Sequence, residues 1–366
     1  MMNKKINVGI LFGGKSAEHE VSLQSAKNVI DSIDKEKYHP ILIGIDKSGK
    51  WLLNDSTNFL LNSDNPKLIK LYQSGEHIAL IPQNKGKISH LTRTESHESV
   101  DVIFPILHGP FGEDGTIQGL LKLANIPFVG SSVLGSAIGM DKDVMKRLLR
   151  DAKLPIGDFI TVKIEDDLPA FETVSNRLGV PFFVKPANLG SSVGISKVSD
   201  KAGYKSAIRE AFEYDNKILV EEYIEGREIE CSVLGNDEPI ASVPGEVIPM
   251  HDFYSYEAKY IDEKGAALKI PAQLPAKVIK EIQEIAIATF KTLSCEGLGR
   301  VDFFLRNDNE IIVNEINTIP GFTSISMYPR LWEASGISYS ELINRLIQLA
   351  FERFEKEQRL KTSHSA

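Results

Sequence analysis

The sequence predicts an α/β protein that begins with a parallel sheet and continues into smaller α+β units. Three observations favour this fold class. Strand-like apolar runs alternate with helical spacing over the first 140 residues, as in INVGILF followed by VSLQSAKNVIDSI. A Gly/Ser-rich turn divides the strand signals of VPFFVKPANLGSSVGISKV, and RNDN divides those of RVDFFL and EIIVNEIN. Because 366 residues exceed one ordinary core, we expect two or three domains.

Composition restricts the class of protein. Hydrophobic residues make up 42% and charged residues 25% of the chain, which is typical of soluble globular proteins. A formal net charge of −8 disfavours a dedicated nucleic-acid binder. Cys231 and Cys295 form no CxxC pattern, and the basic start MMNKK precedes an apolar run that breaks at Gly13. We therefore expect a cytoplasmic protein with no membrane or nucleic-acid partner.

The elements follow in order along the chain. YHPILIGID, VDVIFPILHG and IPFVGSS are further strand signals of the first region. Ligands bind at the carboxyl ends of parallel strands, where GGKSAEHE and HGPFGEDG lie. Apolar spacing predicts a helix from about Asp141, and further helices around 204–212, 278–293 and 342–354. The Tyr-rich segment 250–270 has neither period, which favours a functional loop.

The RNDN turn predicts an acidic hairpin. With Leu305 paired to Glu310, one face carries four polar side chains: Arg300, Asp302, Glu315 and Asn317. The opposite, core-facing side carries apolar ones: Val301, Phe303, Ile312 and Ile316. Two carboxylates and an amide suit Mg²⁺ or Mn²⁺, and two such ions can clamp a triphosphate. Taken alone, the pattern also fits the solvent-facing side of an edge hairpin.

Two further segments fit a nucleotide. Lys185 ends a strand and precedes a loop with Gly190, Ser191, Ser192 and Gly194, whose N–H groups suit phosphates. This loop is neither a Walker A motif nor a GxGxxG motif. Taken alone, a Gly/Ser-rich loop of this kind is more often a plain turn. In LVEEYIEGREIE, which holds Glu221, the main chain near Tyr223 and Ile224 suits an adenine edge, and Glu228 suits a ribose. A charged strand with a bulge is the alternative.

In their order and spacing, these elements resemble the ATP-grasp superfamily and, more narrowly, the D-alanine:D-alanine ligase family. The segments that carry the resemblance span about residues 6 to 350: GGKSAEHEVS, HGPFGEDGTIQG, MDK, KPANLGSSVGISKV, FYSYEAKY, GRVDFF and NEINTIPGFTSISMYP. The resemblance implies an N-terminal parallel α/β domain at 1–140. Two α+β domains, 141–230 and 231–366, would sandwich ATP.

The resemblance also implies a reaction. ATP would phosphorylate the carboxylate of one D-alanine, and the amine of a second would displace phosphate to give D-alanyl-D-alanine, ADP and phosphate for peptidoglycan precursor synthesis. It implies two Mg²⁺ or Mn²⁺ ions, with Asp302, Glu315 and Asn317 as ligands. A homodimer is the family's expected assembly.

Further roles transfer by matching positions. The implied catalytic residues are Glu18, Ser191, Tyr260, Arg300, Gly321 and Ser326. The implied D-alanine-binding residues are Glu18, His108, Arg300, Ser326 and Met327. The implied ATP-binding residues are Lys142, Lys185, Ser192, Glu221, Glu222, Tyr223, Ile224, Glu228 and Lys259. Glu18, Ser191 and Tyr260 would form a triad that closes the site, with Lys259 and Tyr260 at the tip of the loop FYSYEAKY.

Individual residues distinguish ligase subtypes with different second substrates, and they also bear on the alternative functions. Tyr260 favours D-alanine over D-lactate as second substrate, because depsipeptide-forming relatives tend to lack this tyrosine. Leu189 stands where several relatives carry a polar residue, and Met327 where some carry leucine. Another ATP-grasp ligase would leave Glu18 and FYSYEAKY without a purpose. A non-catalytic nucleotide sensor would lack a metal ligand or Arg300, and neither is missing. A nicotinamide-dependent dehydrogenase needs glycine spacing that GGKSAE lacks.

Overall fold

A computed structural model describes residues 4–55, 59–63, 65, 68–73, 75–83, 86–91, 98–249 and 266–361. Within them the chain forms three main sheets and one two-stranded sheet. The predicted closing loop FYSYEAKY, with Lys259 and Tyr260, lies outside the described residues. No helix of the described part combines the length and apolar character needed to cross a membrane.

The first sheet is mixed, with the strand order β7-β6-β3-β2-β1-β8. Its strands are β1 (Ile6–Gly13), β2 (Tyr38–Ile45), β3 (Trp51–Asn54), β6 (Glu76–Leu80), β7 (Ile88–His90) and β8 (Val102–Ile106). The small extra sheet comprises β4 (Leu60–Leu61) and β5 (Lys70–Leu71). The helices are α1 (His19–Ser32), α2 (Thr116–Leu123) and α3 (Val133–Met140). The predicted parallel pairing is confirmed for β2, β1 and β8. IPFVGSS forms only a bridge between Ile103 and Phe128.

The second sheet is antiparallel, with the order β11-β10-β12-β9. Its strands are β9 (Phe159–Lys163), β10 (Phe182–Pro186), β11 (Ser196–Val198) and β12 (Lys217–Glu222). The helices of this region are α4 (Lys142–Asp151), α5 (Phe171–Leu178) and α6 (Lys201–Phe212). Tyr204 of α6 packs edge-on against Phe182 of β10 in their shared core. The predicted small antiparallel sheet backed by a helix is therefore confirmed.

The third sheet has the order β16-β15-β13-β17-β18, with β14 paired to β13. Its strands are β13 (Arg227–Gly235), β14 (Ile240–Ala241), β15 (Gly245–Pro249), β16 (Ala266–Lys269), β17 (Gly297–Leu305) and β18 (Ile311–Asn317). The helices are α7 (Ala276–Thr292), α8 (Met327–Ala334) and α9 (Tyr339–Gln358). The core beneath the sheet includes Ile282 and Phe290 of α7.

The hairpin of β17 and β18 forms with a different register from the predicted one. Asn309 adopts a left-handed φ of 65°, and the Arg306 N–H donates to the Glu310 carbonyl over 3.0 Å, so the turn is tighter than a four-residue loop. Leu305 consequently pairs with Ile311 rather than with Glu310. The tighter turn alone shifts the pairing of β18 with β17 by one residue relative to the prediction.

A bulge in the same hairpin moves it by one more. Asp302 lies opposite Glu315, whereas Phe303 lies opposite Val313, so Asn314 is an extra residue. Ile312 is therefore opposite Phe304, on the face of Asp302, and its predicted place on the core face was wrong. The four polar residues nevertheless share one face, because two single-residue shifts restore the alternation.

The last helix, α9, packs between the first and third sheets, against Leu234 of β13 and Leu298 of β17 as well as against β1. Leu342 and Leu346 belong to one core with Val8 and Phe12 of β1. The Arg353 guanidinium donates to the carbonyls of Phe128 and Gly130 and lies over the Phe128 ring. The first and last parts of the chain are thus joined by a continuous apolar core, which fixes the third sheet against the first.

Candidate functional site

A crevice of about 490 Å³ lies between the second and third sheets. Its volume suits a small-molecule ligand. Ten residues predicted to contact ligands or metals line it: Lys142, Lys185, Ser191, Ser192, Glu221, Glu222, Tyr223, Ile224, Glu228 and Glu315. Segments distant in sequence therefore meet at one place, as a nucleotide site requires.

At one end of the crevice, three buried lysines surround one buried acid. We call Lys142, Lys146, Lys185 and Glu221 the lysine cluster. Asp141 caps α4 by accepting from the N–H groups of Asp143 and Val144, so Lys142 and Lys146 project from successive turns of this helix. Lys185 Nζ lies 2.5 Å from one Glu221 oxygen, and Lys146 Nζ lies 3.5 Å from the other. The sequence argument missed Lys146, although its spacing from Lys142 was a signal.

Burial disfavours the charged forms of the residues in the lysine cluster, and their opposite charges offset this cost. Burial lowers the pKa of Lys146, while the charge of Glu221 opposes this shift. Burial would raise the pKa of Glu221, but the charges of Lys146 and Lys185 outweigh it and lower that pKa. Glu221 is therefore a carboxylate that acts as counterion for two ammonium groups.

Residues 189–194, the glycine–serine loop, cover the lysine cluster. Ser191, Ser192 and Gly194 have φ values of 54°, 60° and 69°, a left-handed conformation that is uncommon for serine. The Ser191 hydroxyl donates to a Glu18 carboxylate oxygen over 2.5 Å, and Lys142 Nζ donates to the Leu189 carbonyl over 2.7 Å. These bonds connect the loop to α4 and to the N-cap of α1.

The far end of the crevice is more apolar. Tyr223 is 39% exposed, and its ring lies 6.1 Å from that of Phe183. A Cβ on Gly157 would approach Ile224 Cδ1 to 2.8 Å, so this glycine allows close packing beneath the strand end. Glu222 accepts a hydrogen bond from the Asp158 N–H over 2.8 Å. This end therefore combines the aromatic rings of Phe183 and Tyr223 with the apolar side chain of Ile224, which suits a base.

Three carboxylates lie side by side across the third sheet. Glu230 of β13 is opposite Asp302 of β17, which is opposite Glu315 of β18; we call them the acid row. Arg300 donates to both Asp302 oxygens, over 2.7 and 2.8 Å, and Asn317 Nδ2 donates to one of them over 2.9 Å. Sequence reasoning missed Glu230, because only the pairing of β13 with β17 brings it here.

The acid row has the chemistry that a hard divalent cation needs. Asp302, Glu315 and Asn317 offer carboxylate and amide oxygens on adjacent strands, the donors that Mg²⁺ and Mn²⁺ prefer. Among the described residues, no group of three or more His, Cys, Asp or Glu side chains is arranged to enclose a metal. Two carboxylates and one amide leave coordination positions that water and phosphate can fill.

The remaining predicted residues lie beside the crevice rather than in its lining. His108 Nδ1 is 3.0 Å from the Ile319 carbonyl oxygen, and burial lowers the pKa of this histidine. Ser326 is the N-cap residue of α8, and its hydroxyl lies 2.7 Å from that of Thr323. A Cβ on Gly321 would approach Ser326 Oγ to 2.8 Å, so only glycine leaves this turn unobstructed. Met327 begins α8 with a buried side chain.

Glu113 connects two loops of the site and was also missed. One carboxyl oxygen accepts from the Gly109 N–H over 2.7 Å and the other from the Ile319 N–H over 3.0 Å. Burial, reinforced by the charge of Glu18, raises the pKa of Glu113 to about 8. Together with His108 it fixes both backbone groups of Ile319, two residues before Gly321.

Comparison with known proteins identifies similar chains. The family model described as D-ala D-ala ligase N-terminus matches residues 7–131, and that described as D-ala D-ala ligase C-terminus matches residues 148–348. The chain is 59% identical to the D-alanine--D-alanine ligase of Oceanobacillus iheyensis, covering 100% of both. It is 55% identical to D-alanine--D-alanine ligase A of Salmonella typhimurium, over 98% of this chain and 99% of the relative.

Two solved ligase structures are also similar to this chain over almost its whole length. The D-alanine-D-alanine ligase from Coxiella burnetii matches with a TM-score of 0.85 and 40% identity, covering 97% of this chain and 96% of that one. The VanG D-Ala:D-Ser ligase from Enterococcus faecalis matches with a TM-score of 0.84 and 38% identity, covering 95% and 100%.

Proposed function

The chain belongs to the D-alanine:D-alanine ligase family, and from this premise we infer its reaction. It is an ATP-dependent ligase of the ATP-grasp fold that joins two D-alanine molecules into D-alanyl-D-alanine and releases ADP and phosphate. The dipeptide supplies peptidoglycan precursor synthesis, the general role of the family. Full-length similarity to named ligases sets aside the dehydrogenase and the other ATP-grasp ligases.

The observation that carries this function is the meeting of the lysine cluster, the glycine–serine loop and Glu315 of the acid row at one crevice. We propose that the triphosphate of ATP lies between them. Lys142 and Lys185 would contact its oxygens, with Lys146 beside them, and Ser192 would contribute a contact from the loop. The main chain at Tyr223 and Ile224 would read the adenine edge, and Glu228 the ribose hydroxyls.

The acid row would face the outer phosphates. When bound, two divalent cations held by Asp302, Glu315 and Asn317 would neutralise charge that develops on the transferred phosphoryl group. The proximity of Lys142 Nζ to Glu315, 3.4 Å, supports this placement because it joins the anion-binding and cation-binding halves.

The first substrate would bind where Glu18 meets the glycine–serine loop. Its ammonium would pair with Glu18, and its carboxylate oxygen would attack the γ-phosphorus in line as the bond to ADP breaks. Phosphorylation supplies the leaving group that a free carboxylate lacks. His108, which burial keeps neutral, would lie beside this substrate.

The second substrate would attack the acyl phosphate with a neutral amine, and the tetrahedral species would then expel phosphate. The Arg300 guanidinium and the Gly321 N–H would stabilise its oxyanion; losing one such donor typically costs ~3–4 kcal/mol of barrier. Ser326 and the Met327 N–H would bind the second carboxylate, a placement supported by the positive end of α8. Tyr260, Ser191 and phosphate remain candidates for removing the amine's proton.

Closure would protect the acyl phosphate from water. The bond between Ser191 and Glu18 supports two members of the proposed triad. Its third member, Tyr260, and the ATP contact assigned to Lys259 lie outside the described residues. We further propose that the chain has three domains, at 1–140, 141–230 and 231–366, and that it acts in the cytoplasm. We also propose that it forms a homodimer, and light scattering of the purified protein tests this oligomeric state.

The decisive assay supplies purified protein with ATP, Mg²⁺ and D-alanine, and scores phosphate release together with dipeptide by mass spectrometry. D-serine and D-lactate compete as second substrates, because one similar structure is a D-Ala:D-Ser ligase. We expect D-alanyl-D-alanine as the main product, with phosphate in equal amount. Phosphate release without dipeptide, or a dominant D-Ala–D-Ser product, would overturn the assignment.

A further inference from the structure

Glu230 has no role in the reaction outlined above, yet it lies in the acid row. We propose that Glu230 is a positioning residue that holds the Arg300 guanidinium in place for the oxyanion. This inference rests on the proposed role of Arg300. It concerns how the guanidinium is oriented rather than which reaction takes place.

The strand register places Glu230 where it can act on Arg300. Glu230 and Asp302 are paired neighbours on β13 and β17, and Arg300 precedes Asp302 by two residues on the same face. Arg300 Nε lies 2.8 Å from Glu230 Oε2 and 2.7 Å from Asp302 Oδ1. One guanidinium therefore lies between two carboxylates from adjacent strands.

Asp302 alone is a poor anchor for this arginine. The same carboxylate is the proposed cation ligand, so its two bonds to Arg300 compete with coordination. When those bonds weaken, a long side chain with one partner regains rotamer freedom and leaves the geometry needed for the oxyanion. Glu230 provides a second carboxylate that lies outside the proposed cation ligands Asp302, Glu315 and Asn317.

The position of Glu230 is rigid. Strand β13 pairs with β15 on one side and β17 on the other, so its backbone is fixed from both directions. The side chains of Arg300 and Glu230 are 18% and 14% exposed, which limits screening by water. Three like charges across neighbouring strands repel one another, and Arg300 offsets this repulsion. A direct cation ligand is the competing role for Glu230.

A double-mutant cycle separates these roles. Glu230→Ala, Glu230→Gln, Arg300→Lys and the pair Glu230→Ala with Arg300→Lys are made in the full chain. We expect Glu230→Ala to lower kcat by about 10- to 100-fold with KM for ATP within threefold, and Glu230→Gln to lose less. In the Arg300→Lys background, Glu230→Ala should add less than a threefold loss. Glu281→Gln, an exposed change on α7, should match the parent.

A binding measurement without turnover completes the test. Titration calorimetry with Mn²⁺ and a non-hydrolysable ATP analogue should give affinities within threefold for parent and Glu230→Ala. Multiplicative losses in the cycle, or Mn²⁺ affinity reduced more than tenfold, would overturn the positioning role in favour of direct coordination. Failure of the parent to make dipeptide would instead defeat the proposed function.

Discussion

The lysine cluster lines the crevice, and the acid row, of opposite charge, reaches the same crevice at Glu315. The first has three ammonium groups around the carboxylate of Glu221. In the second, the carboxylates of Glu230 and Asp302 lie against the guanidinium of Arg300, and Glu315 lies opposite Asp302. Lys142 Nζ, which lies 3.4 Å from a Glu315 oxygen, joins the two groups. The comparison indicates a site that is divided in advance into an anion-binding half and a cation-binding half.

The two halves also differ in burial. The lysine side chains are 3–9% exposed, whereas the three acids are 14–25% exposed. Buried ammonium groups need a counterion, which Glu221 provides. A hydrated divalent cation instead retains several waters, so its ligands suit a wetter environment. The charges of the lysine cluster are therefore balanced within the protein, whereas the acid row has the wetter surroundings that would suit a hydrated cation.

Neutralising the acid row should have the largest effect. Asp302→Asn or Glu315→Gln keeps the side-chain shape but removes a hard anionic ligand, so we expect kcat to fall by about 10³-fold or more. Steady-state phosphate release measures this loss. Circular dichroism and thermal unfolding should remain close to the parent, because neither residue belongs to the core. Full activity in either variant would contradict the metal assignment.

Neutralising the lysine cluster should act on nucleotide binding first. Lys185→Ala removes a charge-assisted contact worth ~1.5–3 kcal/mol, so KM for ATP should rise by about 10- to 100-fold. KM for D-alanine should change less than threefold. Lys201→Ala, an exposed lysine on α6, is the matched control and should leave both constants unchanged. A larger effect on D-alanine than on ATP would place the triphosphate elsewhere.

The features that could be predicted from the sequence depend on contacts between residues close together in the chain, and several of the missed features do not. The polar face of Arg300, Asp302, Glu315 and Asn317 was predicted because alternation along a strand is local. The turn at Asn309 and the bulge at Asn314 were missed, since backbone conformation decides them.

The three residues missed at the site show the same limit. Lys146 follows Lys142 by four residues, so helical spacing alone would have found it. Glu230 reaches the site only through the pairing of β13 with β17, and Glu113 only through Ile319, which is 206 residues away. Neither of these two long-range contacts can be recognised from residues that are close together in the sequence.

The loop above the lysine cluster should matter less than the cluster itself. Ser191→Ala removes the hydroxyl that donates to Glu18, so we expect about a tenfold lower kcat and an excess of phosphate over dipeptide as the acyl phosphate meets water. Ser196→Ala, on strand β11 just after the loop, removes an exposed hydrogen bond to Glu210 of α6 and is the matched control. A product ratio unchanged from the parent would argue against a closing role.

The smallest effect should appear in the dependence of unfolding stability on pH, through Glu221 of the lysine cluster. The pKa of Glu221 is lowered from 4.5, so the folded state releases this proton more readily than the unfolded state. Its stabilising contribution is therefore complete above pH 4.5 and is lost as the pH falls through the lowered value. Glu221→Gln should unfold more easily than the parent at pH 7, and this gap should narrow below pH 4.5.

Urea unfolding at pH 7, 4.5 and 3.5 measures that gap, with Glu281→Gln as a control whose gap stays near zero at each pH. A gap that stays constant down to pH 3.5 would mean that Glu221 is not held ionised by Lys146 and Lys185. The anion-binding half would then be organised by ATP rather than before it, and the contrast with the acid row would disappear.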